Sequence, residues 1–148
     1  MEIKEINANY QNLNQNVTRF IFGKHIQLDK TKLNLNLPKS SIELFGEIGF
    51  ADVVIATRQV PVNFPINNIN NHYNFIKNSK ILPTFTVGII EISQNFQNQN
   101  TLHKISDFFI QKANSLQLNT IVITTNKSTF LIENLPKFGY VLFGNNGY

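Results

Sequence analysis

Two carboxylates stand out as residues able to do chemistry. Glu91 lies inside the apolar run Thr84–Ser93, between Ile89, Ile90 and Ile92. A carboxyl group buried in such surroundings would have its pKa raised, which suits a general base working near neutral pH, whereas a solvated or Lys-paired position would leave it without a catalytic part. Glu47 closes the segment SIELFGE and is the second candidate base. Other catalytic groups are scarce. The chain has no cysteine, which excludes disulfides, thiolate nucleophiles and Cys-ligated metals. His25, His72 and His103 lie far apart without ligand-like spacing, so no metal site is expected.

The elements that must position these groups follow from length and patterning. At 148 residues the chain suits one domain, 1–148, with a core of ordinary size. Met1–Asn7 alternates weakly and reads as a strand. Leu13, Val17, Phe20 and Ile21 recur at three- to four-residue spacing, which predicts a helix over about Asn9–Lys24 ending near Gly23. Leu33, Leu35 and Leu37 alternate, and Leu28–Leu37 reads as ambiguous or extended up to Pro38. Ser41–Glu47 and Asp52–Gln59 are predicted to form a hairpin around a turn at Ile48-Gly49-Phe50-Ala51. Residues 60–83 are Asn-rich, carry three prolines and read as a long loop able to wall an acceptor site.

The second half, 84–148, has the sharper pattern. Thr84–Ser93 is continuously apolar, as expected of a central strand covered on both faces. A Gln/Asn-rich loop, QNFQNQN, leads into the helix TLHKISDFFIQKANSLQ, whose Leu102, Ile105, Phe109, Ala113 and Leu116 form one face. Thr120–Thr124 is a second strand. A short helix, STFLIENLPK, comes next, then Phe138-Gly139-Tyr140, and Val141–Phe143 is expected to close the sheet as an edge strand. The sum is an α/β fold, a mixed and mainly antiparallel sheet with helices on both faces.

Three features of residues 84–144 together resemble the GNAT acyltransferases. One is the strand Val87–Ser93, at the place where the family's sheet splays to admit a pantetheine arm. Another is Gln97-Asn98-Gln99-Asn100-Thr101-Leu102 before a helix, similar to the family's pyrophosphate loop. The third is Asn126 after the next strand, followed by the ending Phe138-Gly139-Tyr140. The resemblance implies acetyl-CoA as acyl donor, held by the backbone of Ile90 and Ile92, by Gln97, Asn98, Gln99, Asn100, Thr101 and Leu102, and by Asn126. A helix N-terminus with unpaired N–H groups suits a pyrophosphate.

Asn100 stands where the family writes glycine and is expected to take a left-handed turn, as Asn does more readily than most residues. Leu102 stands where the family keeps a small residue, and its side chain is expected over the cofactor's space. Leu135 occupies the place of the family's proton-donating Tyr, which leaves Tyr140, or Tyr148, as the candidate acid. Lys104 and Lys127 flank the expected phosphate site, although surface positions account for them equally well, and for His103 a surface position is the better account.

The implied function is direct acetyl transfer to a small-molecule or peptide amine, in a cytoplasmic protein, with a homodimer as one oligomeric option. The departures at Asn100, Leu102 and Leu135 support an alternative: a non-catalytic module of the same fold that binds or assembles. Composition adds limits. The net charge of +4 fits an anionic partner, but the Lys and Arg residues are scattered, so a nucleic-acid surface is not expected. No apolar run reaches the roughly 18–20 residues needed to span a bilayer, and the polar start MEIKEINANY does not read as a signal peptide.

Overall fold

A computed structural model describes residues 1–9, 16–29, 41–62 and 79–143. Among these residues five strands form one sheet in sequence order: β1 (Glu2–Asn9), β2 (Asn16–Asp29), β3 (Ser41–Pro61), β4 (Ser79–Ile92) and β5 (Ile121–Ile123). The first four pair antiparallel, and β5 joins β4 in parallel. A parallel neighbour needs a crossover, here supplied by helix α1 (Gln99–Ser115). Helix α2 (Thr129–Asn134) follows β5 and passes into a 3₁₀ turn, Leu135–Phe138.

The cross-strand register puts one set of side chains under the helices. Phe20 stands opposite Ala51, Phe22 opposite Ile3, and Phe85 and Val87 opposite Ile121 and Ile123. Ile105, Phe109 and Ala113 of α1 pack on this surface, and Phe20, Phe22, Phe85 and Phe109 are almost wholly buried. Phe20 and Phe108 meet edge-on at 5.0 Å, and Phe22 and Phe109 at 6.1 Å. Burying each such ring contributes about 1.5–3 kcal/mol, with about 0.5–1.5 kcal/mol more from the edge contact. A second cluster of Leu102, Leu131 and Leu135 packs with Ile90, Ile92 and Ile123. It fastens α2 beside α1. Among the described residues both helices therefore lie on one face of the sheet, not one on each side.

The end of α1 shows how local rules shape the crossover. Gln117 takes a left-handed φ of 59°, the Leu118 N–H bonds the Ala113 carbonyl at 2.9 Å, and the Gln117 N–H bonds Asn114 at 3.0 Å. This is the Schellman arrangement, which satisfies carbonyls left open at a helix end. Leu118 and Ala113 complete it by entering the same core cluster.

The N-terminal half differs from the sequence expectation. The predicted helix over Asn9–Lys24 is instead β2 from Asn16 onward, while residues 10–15 lie outside the described set. Its apolar residues serve a period of two: Phe20 and Phe22 face the helices, while Arg19 and Ile21 face away. The predicted hairpin is also absent, because β3 runs unbroken from Ser41 to Pro61. Gly49 does not make a turn. It lets the two strands approach, since a Cβ there would collide with the carbonyl oxygen of Glu91.

Strand β4 begins at Ser79, so the expected loop shrinks to residues inside 62–78, of which 63–78 lie outside the described set. Only Thr84–Val87 is buried on both faces; Ile89 is 50% exposed. Leu28 belongs to β2, and residues 30–40 lie outside the described set. Val141–Phe143 forms no strand, so β5 remains the edge among the described residues. No helix among the described residues is long and apolar enough to cross a membrane.

Candidate functional site

The sheet changes character at Gly88. The last parallel pair is Val87 with Ile123, closed by the Thr124 N–H donating to the Val87 carbonyl at 2.9 Å. Beyond it β4 continues to Ile92 without β5 beside it. On its other side β4 shifts register: Val87 faces Val53 and Ile89 faces Asp52, which leaves Gly88 with no opposite residue. Such a bulge bends a strand and re-aims its backbone groups. The space at Gly88 is open, with nothing within 4 Å of where a Cβ would stand. A glycine within a β-branched strand is the sequence signal for such a feature, although the two glutamates draw attention first.

Directly after β4 the chain turns into α1. The Ser93 N–H bonds the Ile48 carbonyl at 2.8 Å, a 3₁₀ turn spans Gln94–Phe96, and the Gln97 amide donates to the Ile92 carbonyl at 2.9 Å. Asn98 is the N-cap of α1, accepting the Thr101 N–H on Oδ1 at 2.9 Å. Gln99 and Asn100 form the exposed first turn, where a helix offers N–H groups and a partial positive charge. Asn100 is not left-handed: among the described non-glycine residues only Gln117, Asn126 and Lys127 are. Leu102 does not project over the helix terminus either. It is buried against Leu131 and Leu135 because the first helical turn rotates it toward the sheet. Ile90 and Ile92 join that core with their side chains, so only their backbone remains for a ligand.

Asn126 and Lys127 form a tight turn from β5 to α2, with φ of 50° and 61° and the Ser128 N–H bonding the Thr125 carbonyl at 2.9 Å. Ser128 then caps α2 by accepting the Leu131 N–H at 3.3 Å. The part Asn126 plays here is conformational, since Asn tolerates the left-handed region.

Glu47 and Glu91 come together, which their separation in sequence does not announce. Glu91 stands opposite Phe50, and both glutamates line a cavity of about 240 Å³ with Gly49, Phe50, Ile92 and Ser93. Both are exposed, so of the two positions open to Glu91 it takes the solvated one: its side chain points away from the helices while Ile90 and Ile92 point toward them. Next to the cavity the Arg19 guanidinium lies over the Phe50 ring, 4.2 Å from its centre. The guanidinium grips the buried Asp52 with Nε at 2.7 Å and Nη2 at 2.9 Å.

Tyr140 sits elsewhere. It packs on the helix side with the Leu102–Leu131–Leu135 cluster, and its hydroxyl is 2.9 Å from Ser106 Oγ. Burial pushes its phenol above the ordinary value, the Ser106 hydrogen bond opposes that, and the charge of Asp107 adds to it. The candidate acid is thus on the opposite face from the candidate bases. Tyr148 lies outside the described residues. His103 stacks on Phe138 at 5.3 Å and lies 3.5 Å from Asp107, and Lys104 is exposed. No group of three or more possible metal ligands occurs among the described residues.

No family model, curated protein or solved structure matches the chain.

Proposed function

We propose that the chain is an acyl-CoA-dependent N-acetyltransferase of GNAT-like architecture, moving an acetyl group directly onto a primary amine. The observation that carries this reading is the parting of β4 from β5 at the Gly88 bulge, followed at once by a helix N-terminus. A thioester seated in that gap would have its carbonyl oxygen beside backbone N–H groups of β4, which stabilise the developing oxyanion. A diphosphate fits the first turn of α1 at Gln99 and Asn100.

Glu91, further along the same strand, is the base. It takes a proton from the attacking amine as the N–C bond forms and the C–S bond breaks. The departing thiolate takes a proton from solvent. Tyr140, hydrogen-bonded to Ser106 on the helix side of the sheet and so away from Glu91, has no part in this step.

Calorimetry with acetyl-CoA tests the reading. Micromolar binding is expected, weakened at least tenfold by Gly88→Val, which fills the open space. No heat from a folded protein at millimolar acetyl-CoA overturns it. A second reading, a binding module without acyl chemistry, draws support from Leu102, Leu131 and Leu135 sealing the helix side of the gap; that module would give no heat in the same experiment.

A further inference from the structure

We propose that Arg19 is a positioning residue: by gripping Asp52 and covering Phe50 it keeps the bulge on β4, and so keeps the opening at Gly88 in one geometry. That the opening serves an acyl donor rests on the acyl-transfer reading; the clamp itself does not. The bulge needs a cause, and glycine does not supply it. Among the described residues Gly139 is the one glycine with a positive φ, so Gly88 makes no use of left-handed freedom. A Cβ at Gly88 would meet nothing within 4 Å, so no close approach within the chain demands a glycine either.

The cause lies in two side-chain phases that do not match. On the helix side, Ile90 and Ile92 pack into the core and fix the phase of β4 beyond the bulge. A regular ladder continuing from Val87–Val53 would pair Ile89 with Ala51 and turn Ile90 and Ile92 out of that core. One of the two strands must therefore absorb an extra residue. Arg19 bars β3 from doing so. It stands directly opposite Asp52, and its Nε and Nη2 hold the buried carboxylate at 2.7 and 2.9 Å. The same guanidinium lies 4.2 Å from the centre of the Phe50 ring, its diagonal neighbour on that face. Asp52 and Phe50 pair in turn with Ile89 and Glu91, the alternate residues just past the bulge. With β3 pinned at both places, the extra residue falls on β4, at Gly88. A seat for a reacting group loses rate steeply when it shifts by even about 1 Å, so one fixed bulge matters to the gap.

The test combines backbone NMR with acetyl-CoA calorimetry. Arg19→Lys keeps the charge but loses the two-point grip, and Val87 and Ile89 should each show a second set of signals. Asp52→Asn should split the same signals and serves if Arg19→Lys does not fold. Gly88→Ala puts one methyl into open space and should leave these signals single. Arg19→Lys should weaken acetyl-CoA binding at least tenfold. Tyr140→Phe, a loss of stability on the opposite face, should change it less than about twofold. Single signals in both clamp variants, or two sets in Gly88→Ala, overturn the proposal. Equal weakening by Arg19→Lys and Tyr140→Phe, which would mark Arg19 as merely stabilising, also overturns it. If the unaltered protein binds no acetyl-CoA and the clamp variants split the signals, only the acyl-transfer reading fails. If acetyl-CoA binds and the signals stay single, only this proposal does.

Discussion

Ser106 and Tyr140 share a hydrogen bond of 2.9 Å that ties the middle of α1 to the chain beyond the 3₁₀ turn. Ser106 is buried, so Tyr140→Phe leaves its hydroxyl without that partner. The expected loss at neutral pH is about 1–2 kcal/mol by urea denaturation. Ser106→Ala in the same background should restore part of it, giving a coupling energy of about 1 kcal/mol in a double-mutant cycle. The pair also sets an alkaline limit. The folded state holds the Tyr140 proton more tightly than the unfolded chain, whose value is 10.0. Stability is therefore fully present below about pH 10 and falls as the pH rises above it. A Tyr140→Phe variant should lack that component of the alkaline decline.

The Arg19–Asp52 pair braces β2 against β3 at adjacent strand positions. Asp52→Ala leaves a half-buried guanidinium without its bidentate acceptor. Arg19 retains some access to water, so the expected cost is about 2–3 kcal/mol, at the low end for breaking a buried pair. Chemical denaturation reads it directly, and a loss under about 0.5 kcal/mol would show that the pair is ornamental.

Leu102→Gly distinguishes a core residue from an obstruction. Its burial against Leu131 and Leu135 predicts a loss of about 3–5 kcal/mol from the cavity and about 1 kcal/mol more from glycine in a helix. Thermal melting should show a marginal or unfolded protein. A variant of unchanged stability would place Leu102 outside the core.

Gln117 is strained where glycine would not be. Gln117→Gly should raise stability by about 0.5–1 kcal/mol, after allowance for the greater freedom of the unfolded chain. In a chain of this size that corresponds to a rise in Tm of about 1–4 °C by calorimetry.

The second half was legible in the sequence because its periods are clean. Leu102, Ile105, Phe109 and Ala113 fall on one helical stripe, and Thr84–Val87 are apolar or β-branched in a row because that stretch is buried on both faces. The first half was not, because β2 carries apolar residues on both sides. Val17, Phe20 and Ile21 match a helical spacing by coincidence, and only pairing with β1 and β3 decides the matter. Gly49 misled in a similar way, since a glycine that permits strand approach looks like one that permits a turn. The site was half legible. Glu47 and Glu91 are visible as candidates, but their meeting depends on the β3–β4 register, which no local pattern encodes.

The attachment of β5 has a consequence for how the molecule breathes. Strands β1 to β4 are sewn by long antiparallel ladders, whereas β5 is held to β4 by three pairs, Phe85–Ile121 to Val87–Ile123. Detaching β5 breaks few ladder bonds and leaves the four-strand meander whole. Sub-global opening should therefore begin on this seam, and amides of Ile121–Ile123 should exchange with deuterium well before those of Phe20 or Phe22. A seam that parts first along its own line opens at the cost of three rungs rather than a whole fold.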